Sequence, residues 1–315
     1  MGAAGWLAYF TTAELVPPRV PFDFTVRTGA SLKSISRQLY DDGLLPDPDT
    51  FWILGRALGK SGGIQAGTYR LEKPLTPAEL LDKLARGDVV FMEVAFIEGT
   101  TLRQWLEQLR ASPHVRQTLA GKSAAQVAVE IGVPERSAEG WLFPDTYRFA
   151  PGTSDVEILR KAYAMMKKRL AEAWASRDPG LRLETPYEAL ILASIVEKET
   201  AVATERPLVA AVFLNRLKTG MRLQTDPTVI YGMGQSFDGN IRKKDLAADT
   251  PWNTYTRDGL PPTPIAMPGA ASLQAAVQPQ PSEFLYFVAR GDGTHQFSRT
   301  LDEHNRAVAK YQLRK

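Results

Sequence analysis

Apolar residues in the N-terminal part of the chain follow first a strand pattern and then a helix pattern. Phe22–Val26 alternates apolar and polar positions, which is typical of a half-buried strand. Ser31 precedes residues 32–39, where leucine and isoleucine recur at helical spacing, so we expect a capped amphipathic helix. A second helix over about residues 49–58 and a short strand over 66–71 follow. The pattern predicts a strand–helix–helix–strand unit.

Parts of this unit recur later in the chain. The stretch VRTGASL (26–32) is echoed by FIEGTTL (96–102), and GTYRL (67–71) is echoed by DTYRF (145–149). Two echoes in the same order predict that a strand–helix unit is used twice.

Beyond residue 155 the pattern is mainly helical. The predicted elements are helices over 156–174, 186–200 and 207–219, a strand over 284–289 and a terminal helix over 301–311. Between them, residues 223–270 are crowded with Pro, Gly, Asn, Thr and Asp, which favours a long functional loop. Because strands fall early and late, the predicted fold class is α+β.

Composition narrows the chemistry that such a fold can carry. The chain has 315 residues, enough for about two domains, and 44% of them are hydrophobic. A net charge of +3 is too small for a dedicated nucleic-acid-binding protein, so no nucleic-acid partner is expected. The absence of cysteine excludes disulfides, thiolate nucleophiles and Cys-ligated metals. Since the three histidines show no HExxH spacing, we predict neither a metal site nor a cofactor.

The first residues are apolar but too few to cross a membrane. Gly2–Phe10 reads GAAGWLAYF, and no window of about 18 apolar residues occurs in the chain. Trp6 and Tyr9 are placed like interfacial aromatic residues. Two interpretations are open: a frayed tail or buried strand, or the last turns of a membrane helix whose beginning is absent from this sequence.

Residue 199 places a carboxylate on an apolar helical stripe. In the helix predicted from residue 186, the stripe of Leu192, Ile195 and Val196 continues at helical spacing to Glu199. Glu197 lies about 200° around the same helix. A carboxylic acid among packed apolar side chains is desolvated, which raises its pKa toward that of a general acid near neutral pH. The alternative is that the Glu-Lys-Glu run is a solvated, ion-paired surface.

Two later segments are rich in groups suited to saccharide recognition. RLQTDPT (222–228) runs into VIYG, and WNTYT (252–256) is followed by GLPPTPI (259–265). Amides, hydroxyls and carboxylates can bond to sugar hydroxyl and acetamido groups, while aromatic rings can stack on sugar faces. Each segment alone could be a capped turn, but together with Glu199 they predict a sugar-binding cleft. Its candidate substrate-binding residues are Gln224, Thr225, Asp226, Tyr231, Asn253, Thr254 and Tyr255.

The segment from Ile195 to Gly234 resembles the endolytic murein transglycosylases of the YceG-like (MltG) family. It reads IVEKETAVATERPLVAAVFLNRLKTGMRLQTDPTVIYGMG, and NTYT, LPPTPIAMPG and LYFVA extend a resemblance that covers the chain from about residue 22 onward. This resemblance implies cleavage of nascent peptidoglycan glycan strands, with the catalytic domain in the periplasm and a single N-terminal anchor, truncated here, in the bacterial inner membrane. It makes glycan strands the expected partner and peptidoglycan synthases at the membrane candidate partners.

The resemblance also implies a domain organisation. Residues 1–21 are expected to be the remnant of a membrane helix with a linker. Residues 22–95 are similar to a LysM peptidoglycan-binding module of βααβ order, and 96–315 would form a mixed, mainly helical catalytic domain with a few strands.

Carried over to this sequence, the family's catalytic glutamate falls on Glu199, which the helical stripe selects independently. The implied lytic reaction needs one carboxyl group that acts as general acid and then as base, and it leaves 1,6-anhydro-MurNAc ends. Two alternatives stay open. One is a peptidoglycan hydrolase that uses Glu199 with Asp226, and the other is a non-catalytic peptidoglycan-binding scaffold.

Overall fold

The computed structural model describes residues 3–313 and shows the predicted α+β class. Its helices are α1 (Ala3–Thr12), α2 (Leu32–Asp41), α3 (Pro48–Ala57), α4 (Pro77–Arg86), α5 (Leu102–Ala111), α6 (Ala124–Ile131), α7 (Asp155–Ala175), α8 (Pro186–Glu199), α9 (Arg206–Lys218), α10 (Asp226–Met233), α11 (Lys243–Ala247), α12 (Ala270–Val277) and α13 (Leu301–Tyr311). Its strands are β1 (Phe22–Val26), β2 (Gly67–Leu71), β3 (Met92–Ala95), β4 (Thr146–Phe149), β5 (Tyr286–Ala289) and β6 (His295–Ser298). They pair as β1–β2, β3–β4 and β5–β6 in three two-stranded sheets within the described residues.

The chain divides into two compact units. Unit 1 contains the chain up to Glu93 together with Arg148–Thr153, and unit 2 contains Val94–Tyr147 and the chain from Ser154 onward. The candidate chemical residues between 199 and 255 all belong to unit 2.

Unit 1 has the predicted strand–helix–helix–strand order. β1 pairs antiparallel with β2, with Phe22 opposite Leu71. Ser31 caps α2, because its Oγ accepts the Ser34 N–H at 3.2 Å, and the predicted leucine and isoleucine stripe of α2 is buried. α2 packs against α3. A two-stranded ribbon is marginal alone, so the burial of these apolar side chains under the helices stabilises it.

The N-terminal apolar segment forms α1 from Ala3 onward, and Gly2 lies outside the described residues. Phe10 is 2% exposed in the core of unit 1, while Trp6 and Tyr9 are exposed. The interpretation as a frayed tail or a strand is therefore wrong. None of the helices within residues 3–313 has the length and hydropathy of a membrane span.

The strand–helix–helix–strand order occurs twice. β3, α5, α6 and β4 follow one another, and β3 pairs with β4 as β1 pairs with β2. Thr101 caps α5 as Ser31 caps α2, and Gln104 completes a capping box on α5. The predicted repetition is confirmed.

α8 is the central helix of unit 2. Its residues Ala189–Val196 are all buried, and it packs against α7, α9, α10 and α12. β5 and β6 form an antiparallel hairpin with Tyr286 opposite Ser298, and α13 packs against both strands.

The prediction of one long loop over residues 223–270 is wrong, because α10 and α11 lie inside it. Pro227 stands in the first turn of α10, where its fixed φ and missing N–H suit a helix start. The sequence pattern also missed β6 and the eight-residue helices α6 and α12.

Candidate active site

α8 delivers Glu199 to the site at its C-terminal end. Leu192, Ile195 and Val196 have no exposed surface, so the stripe that continues to Glu199 is a core stripe. Thr200 ends the helix in an extended conformation and is itself buried. The helix geometry therefore holds the carboxyl group next to the core of unit 2.

The Glu199 carboxyl group is desolvated and accepts a hydrogen bond from the Thr225 hydroxyl. Burial raises the pKa of Glu199 above its ordinary value, the Thr225 hydrogen bond opposes this rise, and the negative charge of Asp226 adds to it. Positive charge on Arg216 and His295 favours the anion to a smaller extent. Burial is the largest of these effects, so Glu199 keeps its proton to higher pH than an exposed glutamate.

Glu199 lines a cavity of about 500 Å³ in unit 2. Three of the predicted binding residues, Gln224, Asp226 and Tyr255, line the same cavity. Arg216, Tyr286, His295 and His304 contribute further polar groups to its wall. The cavity thus presents one desolvated acid among amide, phenol, imidazole and guanidinium groups.

Asp226 and Tyr255 form a hydrogen-bonded pair in this cavity. The Tyr255 hydroxyl donates to Asp226 Oδ1 at 2.6 Å. Burial, followed by the hydrogen bond to Asp226 and that residue's charge, raises the pKa of Tyr255, so the phenol stays protonated and remains a donor.

Gln224 is the one non-glycine residue with a positive φ in the described part of the chain, at 48°. Its N–H donates to the Thr254 carbonyl at 3.1 Å, which ties this backbone to the 252–256 segment. A left-handed non-glycine residue costs on the order of 1–3 kcal/mol and such residues cluster at functional sites.

Thr225, Asn253 and Thr254 are buried and do not line this cavity. The Thr225 N–H donates to Thr254 Oγ1 at 3.1 Å, and Thr254 Oγ1 lies 2.9 Å from Thr228 Oγ1. The Asn253 side-chain amide donates to the Ala248 carbonyl at 2.7 Å. These contacts join the start of α10 to the 252–256 segment and fix the position of Thr225 against Glu199.

Glu197 is also buried, which the helical pattern did not predict. Its side chain is 5% exposed, pairs with Arg206 at 3.1 Å and accepts the Gly269 N–H at 2.9 Å. Lys198 between the two glutamates is exposed. The alternative of a solvated, ion-paired Glu-Lys-Glu surface is therefore wrong for Glu197, which is ion-paired but buried.

Tyr231 lies in a second cavity rather than beside Glu199. This cavity, of about 940 Å³, is lined by Tyr231, Trp252, Glu139 and Lys198 among others. The rings of Tyr231 and Trp252 pack edge to face with centroids 5.5 Å apart. The Tyr231 hydroxyl donates to Glu139 Oε2 at 3.2 Å.

Sequence reasoning missed Glu139. Glu139 is 4% exposed. Its carboxyl group accepts a hydrogen bond of 3.0 Å from the N–H of Leu102, the first residue of α5. Burial raises the pKa of Glu139 to about 7, although the Leu102 and Tyr231 hydrogen bonds oppose the rise. The signal available was a lone acid beside the apolar run Trp141-Leu142-Phe143.

No cluster of three or more Asp, Glu or His side chains within the described residues is placed to hold a metal ion.

Comparisons with known proteins agree with the sequence motifs. The model of the YceG-like family matches residues 24–310. A Bacillus subtilis (strain 168) protein named endolytic murein transglycosylase is 30% identical over 306 residues, covering 92% of this chain and 84% of that protein. A Streptococcus pneumoniae serotype 2 protein of the same name is 29% identical over 282 residues, and the matched region spans 51% of its length.

A solved structure gives the same result. A YceG-like protein from Listeria monocytogenes, whose crystal structure is known at 2.6 Å, matches with a TM-score of 0.58 and 28% identity. The match covers 90% of this chain and 98% of that one. With the family model matching most of its length, this chain belongs to the YceG-like family, as its motifs predicted.

Proposed function

We propose that this protein cleaves the bond between N-acetylmuramic acid and N-acetylglucosamine inside peptidoglycan glycan strands, with Glu199 as the proton donor. The observation that carries the proposal is the desolvated Glu199 carboxyl group in a cavity walled by polar side chains. A general acid needs a proton near neutral pH, and burial supplies that condition.

The chain is an enzyme of the endolytic murein transglycosylase class, as its family and its relatives' names indicate. Peptidoglycan is accordingly its substrate class. The residue roles and the product chemistry that follow are our proposal.

In the proposed reaction, protonated Glu199 gives its proton to the glycosidic oxygen, and the C1–O bond breaks with the electron pair leaving on that oxygen. The resulting oxocarbenium-like muramyl unit is stabilised by its own 2-acetamido oxygen. The Glu199 carboxylate then takes the proton of the same sugar's 6-hydroxyl, whose oxygen attacks C1 and closes a 1,6-anhydro ring. One carboxyl group suffices because the nucleophile is already part of the substrate.

The other predicted residues divide between contact and support. Gln224, Asp226 and Tyr255 reach the cavity, so we assign them to hydrogen bonds with the sugar.

Thr225 supports the carboxylate form of Glu199 by donating to it. Asn253 and Thr254 hold the loop in place, and Tyr231 would meet parts of the glycan that extend into the second cavity.

We assign peptidoglycan binding to unit 1 on its likeness to a LysM module, with residues 22–95 as the module and 96–315 as the catalytic domain. We place the catalytic domain in the periplasm and its anchor in the inner membrane ahead of residue 22, where synthases would be neighbours. The support for the extracytoplasmic placement is the substrate itself, since the cell wall lies outside the membrane.

Digestion of uncrosslinked glycan strands by the wild type and by Glu199→Gln, followed by product masses, tests the proposal. We expect wild-type products that are lighter by one water than hydrolysis products, and almost none from Glu199→Gln. Glu172→Gln on the exposed face of α7 is the matched control and should keep full activity. Undiminished activity of Glu199→Gln would refute the role of this residue.

Asp226 makes a hydrolase the second candidate, because it is another carboxylate in the same cavity. A hydrolase would give reducing ends with the full mass, and Asp226→Asn would then be as inactive as Glu199→Gln. If neither the wild type nor any variant changes the muropeptide profile relative to untreated strands, the result would instead favour the scaffold interpretation.

A further inference from the structure

Glu205 holds His295 at two points. Glu205, directly before α9, accepts the His295 backbone N–H on Oε1 at 2.9 Å and contacts the ring Nδ1 through Oε2 at 2.7 Å. Both side chains are only 13% exposed. A carboxylate on Nδ1 fixes the orientation of an imidazole and pairs with its charge when the ring is protonated.

This pair is connected to the chain that carries Glu199. Thr200 follows Glu199 directly, and its hydroxyl lies 3.5 Å from Glu205 Oε2. The same hydroxyl accepts the Val202 N–H at 3.1 Å, which shapes the turn between α8 and α9. The end of α8, the start of α9 and the first residue of β6 therefore meet at Glu205.

His295 lines the same cavity as Glu199. Its ring packs edge to face on Phe287 with centroids 5.4 Å apart, which further limits its rotation. The other titratable groups on this cavity are Arg216, Asp226, Tyr255, Tyr286 and His304.

The two other basic groups of the cavity are engaged differently. The guanidinium of Arg216 donates to the carbonyls of Leu285 and Leu223, both at 2.7 Å. His304 stacks on Tyr286, and burial together with Arg216 lowers the pKa of His304, which favours its neutral form. Of the two histidines on the cavity, only His295 has a carboxylate partner among the described residues.

We propose that the Glu205–His295 pair holds an imidazolium beside Glu199 and thereby stabilises the carboxylate that Glu199 becomes after it has given up its proton. The inference rests on the proposed function for its catalytic consequence. His295 is then a positioning residue: it neither gives nor takes a proton in the reaction, and Glu199 recovers its proton from the 6-hydroxyl as before. Positive charge near Glu199 opposes the effect of burial, so the pair keeps the acid strong enough to donate.

The test uses the full chain with His295→Gln, Glu205→Gln and the double variant, and His114→Gln on the exposed surface as the matched control. The pH dependence of kcat and of KM is measured on uncrosslinked glycan strands. In parallel, carbon-13 NMR of the glutamate carboxyl groups, with the Glu199 signal assigned from its loss in Glu199→Gln, follows the titration of Glu199 without turnover.

Loss of the imidazolium should raise the pKa of Glu199, so the alkaline limb of kcat and the NMR titration should both move up in His295→Gln, by about 0.5–1 pH unit. We expect kcat on the acidic plateau to fall by about 3- to 10-fold, because the acid becomes weaker, with KM unchanged within about twofold. Glu205→Gln should shift in the same direction by less, since it also removes a negative charge. The double variant should match Glu205→Gln, since both leave an uncharged pair, and His114→Gln should match the wild type.

An unmoved Glu199 titration in folded His295→Gln overturns the inference. So does a rise in KM with the pH profile unchanged, since that would make His295 a substrate contact. If His295→Gln does not fold, Glu205→Gln carries the same test, and an unmoved titration there overturns the inference. A wild type that yields no anhydro products would refute the proposed function while leaving the NMR shift measurable.

Discussion

Glu199 and Glu139 are both buried carboxyl groups of unit 2, yet they line different cavities and have different partners. Glu199 ends a regular helix, and Thr225 is its hydrogen-bond donor among the described residues. Glu139 lies in an irregular segment and accepts a backbone N–H of α5 as well as the Tyr231 hydroxyl. The difference separates an acid that accepts one side-chain hydroxyl from an acid that caps α5 and links it to Tyr231.

The largest expected difference between Glu199 and Glu139 is in the rate of glycan cleavage after each is replaced. Glu199→Gln should lower the rate of glycan cleavage by about 10²–10⁴-fold, because it removes the general acid. Glu139→Gln should change it by less than about tenfold, since it contacts neither Glu199 nor the first cavity. Initial rates of muropeptide release measure both. Equal losses in the two variants, with both folded, would show that the comparison is mistaken.

The pH dependence of stability should isolate Glu139. Its pKa rises from 4.5 to about 7 in the folded state, so the folded protein keeps a proton that the unfolded chain loses. This stabilisation is complete below about pH 4.5 and is lost as the pH rises through about 7, a change of roughly 3 kcal/mol at most.

Urea unfolding of the wild type and Glu139→Gln at several pH values between these limits measures this contribution. The pKa of Glu199 is also raised, so Glu199 gives both proteins the same additional slope of unfolding free energy against pH. That contribution cancels when the two proteins are compared. Parallel curves for the two proteins would contradict the assignment.

Thr225→Val tests how the Thr225 hydroxyl affects the pKa of Glu199. It removes the hydroxyl that donates to the carboxylate, so the pKa of Glu199 should rise further and the alkaline limb of activity should move to higher pH by about 0.5–1 unit. Thr219→Val, at the exposed C-terminal end of α9, is a control of the same size. A limb that moves down would mean that Thr225 does not act on Glu199 as a donor.

Tyr231→Phe should have the smallest effect. It removes one hydrogen bond to Glu139 but leaves the Leu102 N–H in place, so we expect a loss of about 1 kcal/mol or less in the free energy of unfolding. Thermal unfolding measures the loss. A much larger destabilisation would show that the second cavity depends on this hydroxyl more than its geometry indicates.

The sequence could predict Glu199 because the relevant information is local. A helix of regular pitch fixes which face position 199 occupies once Leu192, Ile195 and Val196 define the core stripe. Glu139 could not be found this way, because its environment depends on Leu102 and Tyr231, which lie 37 and 92 residues away in sequence.

Tyr231 shows the same limit in another form. As part of a loop it could lie beside Asp226, but α10 is a helix, and five residues along a helix turn a side chain by roughly 140°. That rotation explains why Asp226 faces the first cavity while Tyr231 faces the second. Because α10 was predicted as a loop, Tyr231 was wrongly expected to share a cavity with Asp226.

The left-handed backbone of Gln224 bears on how this enzyme could be engineered. Glycine at 224 would relieve the torsional penalty and is the substitution that thermostabilising selection would favour. It would also delete an amide from the cavity wall and loosen the segment that leads to Thr225. A gain in thermal stability from glycine at 224 should therefore come with slower glycan cleavage. Stabilised variants of this enzyme should keep Gln224.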